Sequence, residues 1–156
     1  MNPHSVTSFI MGFMLIVSIN GCSSTSFLFS TKIKATVITA DDINPDSRNR
    51  ASPIVVRIYE LKSVNSFNDT DFFRLYDEEA ASLGGDLIAR EEFELAPGQG
   101  REINRKPNEE ARYFGVIAAF RNIDKAQWRV ATALKLNKTN SLVIRIGKES
   151  VTIQEQ

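Results

Sequence analysis

Ile54-Val55-Val56-Arg57-Ile58-Tyr59-Glu60-Leu61-Lys62, entered through Ser52-Pro53, is the stretch that decides the fold. Its β-branched side chains favour a pleated backbone. Pro53 is tolerated at a strand start, where its missing N–H is not yet needed by a ladder. Val56 and Ile58 fall on one face, and Val55, Tyr59 and Leu61 on or near the other. Upstream, residues 32–40 alternate: Ile33, Ala35 and Val37 face one side and Lys32, Lys34 and Thr36 the other, a half-buried strand. Downstream, residues 87–95 alternate through Leu87, Ala89, Phe93 and Leu95, interrupted by Glu91. Ala96-Pro97-Gly98 is a turn, and residues 101–105 form a weak edge strand. Residues 113–120 are apolar throughout and are expected to be buried on both faces. After a polar turn at 122–127, residues 128–136 alternate again. Strands at 142–146 and 149–154 are joined by Gly147-Lys148, read as a type II′ hairpin turn. Eight short strands with turn signals between them make an all-β chain, folded as a β-sandwich.

One segment breaks the alternation. Within residues 66–85, Phe72, Tyr76, Ala80 and Leu83 recur at helical spacing. Thr70 is placed to cap, Asp71 suits the positive helix N-terminus, and Gly84-Gly85 ends the run. The acidic middle, Asp77-Glu78-Glu79, is expected to face water. The sandwich therefore carries a small helical insertion between its second and third strands.

The N-terminus reads as an address. Residues 9–19 are apolar but fall well short of the about 20 needed to span a bilayer. They lead into Ile19-Asn20-Gly21-Cys22, the layout of a lipoprotein signal, with a small residue before the cysteine. Residues 1–8 hold no Lys or Arg, and Asn20 is polar. On this reading 1–21 is a signal peptide, Cys22 carries lipid, 22–30 is a Ser-rich tether and 31–156 is the domain. Ser23 after the cysteine points to the outer membrane rather than the inner one. The alternative is an ordinary cleaved signal that leaves Cys22 as a free thiol.

Composition narrows the chemistry. All 19 basic and 19 acidic residues follow Cys22, so the exported chain is neutral and nucleic acid is a poor partner. The only histidine, His4, leaves with the signal, and Cys22 is the only cysteine. Zinc sites of the His/Cys type, Ser-His-Asp triads and Cys-His dyads are thereby excluded, and no metal or cofactor is implied. Glu91 and Glu92 are neighbours on a strand and point to opposite faces, so they cannot act as a catalytic pair. Solvation is the expected role for both acidic clusters.

The segment with surplus exposure is Asp41-Asp42-Ile43-Asn44-Pro45-Asp46-Ser47-Arg48-Asn49-Arg50, within a 41–52 connection. Hairpin loops usually run about 2–5 residues. The longer connection is either a solvated loop or a recognition loop on a rigid scaffold.

Several runs in order resemble a known family. They are the lipidation Cys22; Ser52-Pro53-Ile54-Val55-Val56-Arg57-Ile58-Tyr59-Glu60-Leu61; Phe67 with Asp71-Phe72-Phe73-Arg74-Leu75-Tyr76; Leu83-Gly84 with Asp86-Leu87; Leu95-Ala96-Pro97-Gly98; and Tyr113-Phe114-Gly115-Val116-Ile117-Ala118-Ala119-Phe120-Arg121, followed by Trp128-Arg129. The chain resembles the outer-membrane lipoprotein of the type VI secretion system, the TssJ family. That resemblance implies a transthyretin-like β-sandwich with an added helical element and no enzymatic activity. It implies a protein anchored to the outer membrane by lipid on Cys22, on the periplasmic face. Its implied partner is the periplasmic domain of the large inner-membrane subunit (the TssM family), met through the loop between the first two strands, here 41–50. With so short a tether, the loop is expected to meet that partner close to the membrane. The rival reading is a periplasmic small-ligand or glycan-binding lipoprotein, which requires an apolar pocket with converging polar groups.

Overall fold

The computed structural model describes residues 30–156. The signal peptide, Cys22 and nearly all of the 22–30 tether lie outside the described residues. Eight strands form two sheets: β1 (Lys32–Thr39), β2 (Ile54–Leu61), β3 (Leu87–Leu95), β4 (Gly100–Arg105), β5 (Tyr113–Ala118), β6 (Arg129–Ala133), β7 (Thr139–Ile146) and β8 (Val151–Glu155). One sheet has the order β4-β1-β7-β8 and the other β3-β2-β5-β6. All pairings are antiparallel except β1 with β7, where Lys32 lies opposite Thr139 and Thr39 opposite Ile146.

The first sheet is one-sided. In β1, Ile33, Ala35 and Val37 are buried while Lys32 and Lys34 face water. Their inward faces meet Val56, Ile58, Phe114 and Val116 of the second sheet in one continuous core. Each such side chain contributes about 1.5–3 kcal/mol by leaving water.

The second sheet is covered on both faces. In β2, Arg57, Tyr59 and Leu61 point away from the sandwich, yet all three are buried. The cover is the segment between β2 and β3. It is not one helix but three short ones, α1 (Asn65–Asp69), α2 (Phe72–Asp77) and α3 (Glu79–Leu83), followed by a 3-10 turn at Gly84–Asp86. The expected stripe fails at Ala80, which is exposed. The layer instead buries Phe67, Leu75 and Leu83, one from each helix, against Tyr59, Leu61 and Ile117. The breaks come from the backbone: Asp71 accepts a hydrogen bond from Arg74 N at 3.1 Å and restarts the chain as the α2 cap. Thr70, expected as a cap, instead donates its hydroxyl to Ser66 O at 2.7 Å. Gly115 is needed beneath this layer, since a Cβ there would lie 3.1 Å from Phe67 Cζ and 3.3 Å from Leu61 Cδ1.

Two charged clusters fasten the layers, where the sequence suggested solvation. Arg57 donates to Tyr76 O at 2.7 Å, lies 3.7 Å over the Tyr76 ring and pairs with Glu92. Glu79, expected in water, is largely covered and sits 3.7 Å from Arg57 and 3.3 Å from Arg90. Burial, with the Glu79 carboxylate beside it, pushes the Tyr59 hydroxyl well above its usual range. Glu91 points the other way, as strand alternation requires, and pairs with Arg101 and Arg105 of β4 across the sandwich edge. Inward-pointing charges of this kind also discourage pairing at an edge strand.

The last hairpin differs from the expected one. Gly147 N donates to Ser150 O at 2.8 Å, so the central pair is Lys148-Glu149. Gly147 does not adopt a positive φ, which a type II′ turn would require of its first central residue.

Candidate functional site

The 41–52 connection sits at the end of the sandwich where β1 finishes and β2 begins. The 96–99, 119–128 and 147–150 loops gather at the same end, because β3, β5 and β7 run toward it and β4, β6 and β8 away from it.

The connection is a built loop rather than a slack one. Ile43 is 0 % exposed and joins the core between the sheets. Asn44, 4 % exposed, holds the left-handed conformation at φ 46. Its side-chain amide donates to Pro53 O at 2.7 Å and its oxygen accepts from Arg121 N at 2.8 Å, while its own N–H donates to Lys148 O at 3.0 Å. The side chain thus closes the loop base and ties it to the 119–128 loop, and the backbone N–H ties it to the 147–150 turn. These two residues are anchors, which corrects the expectation of surplus exposure along the whole of 41–50.

Beyond the anchors, Asp46 shapes the tip. Its Oδ1 accepts from Arg48 N at 2.8 Å and Arg50 N at 3.0 Å, and its Oδ2 accepts from Arg50 Nε at 2.9 Å. Hydrogen bonds from the Arg50 side chain and backbone, with Arg48 N assisting, hold its carboxyl at about 2. Asn49 sits at φ 59 and donates its N–H to Asp46 O at 2.8 Å. Pro45 and Asp46 are half-buried; Ser47, Arg48, Asn49 and Arg50 face water, as do Asp41 and Asp42 near the loop base.

The surface extends past the loop. Arg121, Asn122, Lys148 and Glu149 line a shallow depression with Pro45 and Ser47. Asn122 Nδ2 donates to Glu149 Oε1 at 2.9 Å. Sequence reasoning missed these four as part of the site. Arg121 lies 77 residues from the Asn44 it meets, and only topology joins them. A single signal existed: several turns of a sandwich must share each end.

The chemistry of this end suits docking. Its carboxylates and cations are interspersed, and among the described residues no three His, Cys, Asp or Glu side chains converge as a metal site would. The space between the sheets is filled by side chains such as Ile43, Val56, Phe114 and Ile144, each without exposure.

The site also lies far from where the chain enters. Ser30 and Thr31 stand at the start of β1 and the loop follows its end, eight residues along a strand, which at about 3.3 Å per residue is roughly 26 Å. The direction of β1 thus separates the entry at Ser30 from the loop by the length of the strand.

The chain is thus a two-sheet β-sandwich with a helical cover over one sheet and a pinned polar loop at one end. The sequence profile of the type VI secretion lipoproteins (VasD, EvfM, TssJ) matches residues 31–149, and the chain belongs to that family. Among solved structures it is similar to the type VI secretion lipoprotein TssJ1 from Pseudomonas aeruginosa, with 35 % identity and a TM-score of 0.79 over 81 % of this chain and 97 % of that one. It is similar to Serratia marcescens Lip, a membrane-bound component of the type VI secretion system, with 25 % identity and a TM-score of 0.72 over 79 % and 96 %. A structure described as the C-terminal domain of the type VI secretion protein TssM from EAEC also matches, with 27 % identity and a TM-score of 0.68 over 78 % and 99 %. No curated protein matches the chain. The transthyretin-like sandwich and the type VI secretion lipoprotein assignment expected from the sequence both stand.

Proposed function

We propose that the chain is held by acyl groups on Cys22 to the periplasmic face of the outer membrane. In this reading it anchors the type VI secretion membrane complex without enzymatic activity. Its 41–50 loop docks the periplasmic domain of the TssM-family inner-membrane subunit. The observation that carries this reading is the opposition of the two ends: the chain enters at Ser30 and presents the loop at the far end of β1. A tether at one end then aims the loop away from the lipid and into the periplasm. The filled space between the sheets favours a docking surface over a ligand carrier.

The contact face on this reading is Ser47, Arg48 and Asn49 with Arg121 and Lys148 beside them. Mixed charges there set orientation and encounter rate more than affinity. Deleting 42–49 would remove Ile43 from the core and Asn44 from its three hydrogen bonds, so charge reversal at the tip is the cleaner test. Arg48→Glu with Lys148→Glu should lower affinity for the partner's periplasmic domain about tenfold, equivalent to about 1.4 kcal/mol, with the unfolding transition unchanged. A folded double variant that binds as tightly as the parent in titration calorimetry would refute the loop's role.

A further inference from the structure

The end opposite the loop carries a second surface. Ser30 and Thr31 lie in a groove with Pro107, Leu136 and Asn137. The turn between β6 and β7 is pinned there. Asn137 N donates to Thr31 Oγ1 at 2.9 Å, Lys32 N donates to Lys138 O at 3.0 Å, and Lys135 N donates to Asn140 Oδ1 at 2.8 Å. Asn137 takes the left-handed conformation at φ 58, so the tip has a set shape. That shape holds Leu136 outward, 44 % exposed, although Leu134 two residues earlier is buried. The turn thus offers one large apolar side chain at the end where the chain enters.

The charges around it point to what covers it. Most acidic side chains at this end are already paired: Glu109 with Lys106 at 3.4 Å, Glu110 with Lys62 at 2.8 Å, Glu60 with Arg105 at 3.2 Å, and Glu155 with Lys135. Lys32 and Lys138, by contrast, form no ion pair among the described residues. In sequence, Phe27-Leu28-Phe29 precedes Ser30, and Cys22 is nine residues before Thr31. At about 3.3–3.6 Å per residue, that stretch reaches no more than roughly 30 Å.

We infer that this end is a lipid-facing surface: Leu136 enters the headgroup boundary, and Lys32 and Lys138 meet lipid phosphates. An apolar side chain ringed by lysines is the chemistry of an interfacial contact. The inference rests on the tethering of Cys22. It adds that the sandwich stands on the bilayer in one orientation instead of swinging from its tether, which directs the 41–50 loop away from the lipid.

The test uses the full lipidated chain in vesicles of phosphatidylethanolamine and phosphatidylglycerol. With Cys22 occupied by lipid, Leu136→Cys provides one thiol for a nitroxide label, and Ser47→Cys provides one at the opposite end. The label at 136 should collide with oxygen several-fold more, relative to an aqueous nickel chelate, than the label at 47. Equal, aqueous behaviour at both sites overturns the inference and leaves the tether intact. Shielding of 136 from both reagents also overturns it, because protein, such as the preceding Phe27–Phe29 segment, then covers the turn. Labelling of the unsubstituted chain would show a free Cys22 and overturn the tether together with the inference.

Discussion

At Asn44 two demands meet in one side chain. The backbone there is left-handed, which Asn tolerates better than most residues, and the amide must both donate to Pro53 O and accept from Arg121 N. Asn44→Ala meets neither demand. It leaves Pro53 O and Arg121 N without these partners and should cost about 2 kcal/mol of stability, read as a lowered denaturation midpoint in urea. Asp46 sets a second, pH-dependent fastening. Its folded value is lowered from an ordinary 3.8 to about 2, so the unfolded chain takes up its proton first as pH falls. Its contribution is complete above the unfolded value and is lost as pH drops from about 4 through 2. Comparing the acid unfolding of Asp46→Asn with the parent should show a shallower pH dependence in that window alone. Both roles were half legible in the sequence. Turn chemistry at Asn44-Pro45-Asp46 is visible there, but the Arg121 partner is not.

Among the elements, the helical cover departs most from its sequence pattern. A helical period was readable across 66–85, yet Leu75 is buried and Ala80 exposed. The reason is length. None of the three helices exceeds six residues, so each picks its own buried side chain, and one stripe cannot run through all of them. Such helices are unstable alone; the second sheet holds them through Phe67, Leu75 and Leu83 and through the Arg57 cluster. Leu75→Ala should cost about 2–5 kcal/mol and open the 62–86 segment to limited proteolysis before the sandwich unfolds. Cleavage that begins elsewhere would show that the cover does not depend on this plug. Strands were more legible than helices here because the period of two follows from backbone geometry. Glu91 and Glu92 obey it and reach different layers.

For the whole molecule, direction is what matters. β1 separates the entry point from the loop, and its parallel pairing with β7 brings the 147–150 turn beside that loop. The two proposed attachments, lipid and partner, are therefore at opposite ends of a rigid body. Cys22→Ser should still be exported and folded but should appear in the soluble periplasmic fraction and fail to support secretion. Full secretion by a soluble variant would remove the reason for the anchor.

Strand positions, the sandwich class, the helical insertion and the family were determined by the sequence itself. Alternation, turn residues and the exclusion of His and Cys chemistry are local or compositional properties, and a linear chain displays them directly. The tertiary structure alone decided which faces are covered, that Ile43 and Asn44 are anchors, that Arg57, Glu79 and Glu92 fasten layers, and that Ser30 and the loop lie at opposite ends. Those depend on contacts between residues far apart in the chain. Arg121 against Asn44 and Arg105 against Glu91 exist only once the order β4-β1-β7-β8 faces the order β3-β2-β5-β6. Strand order is chosen by global packing, and no local pattern encodes it.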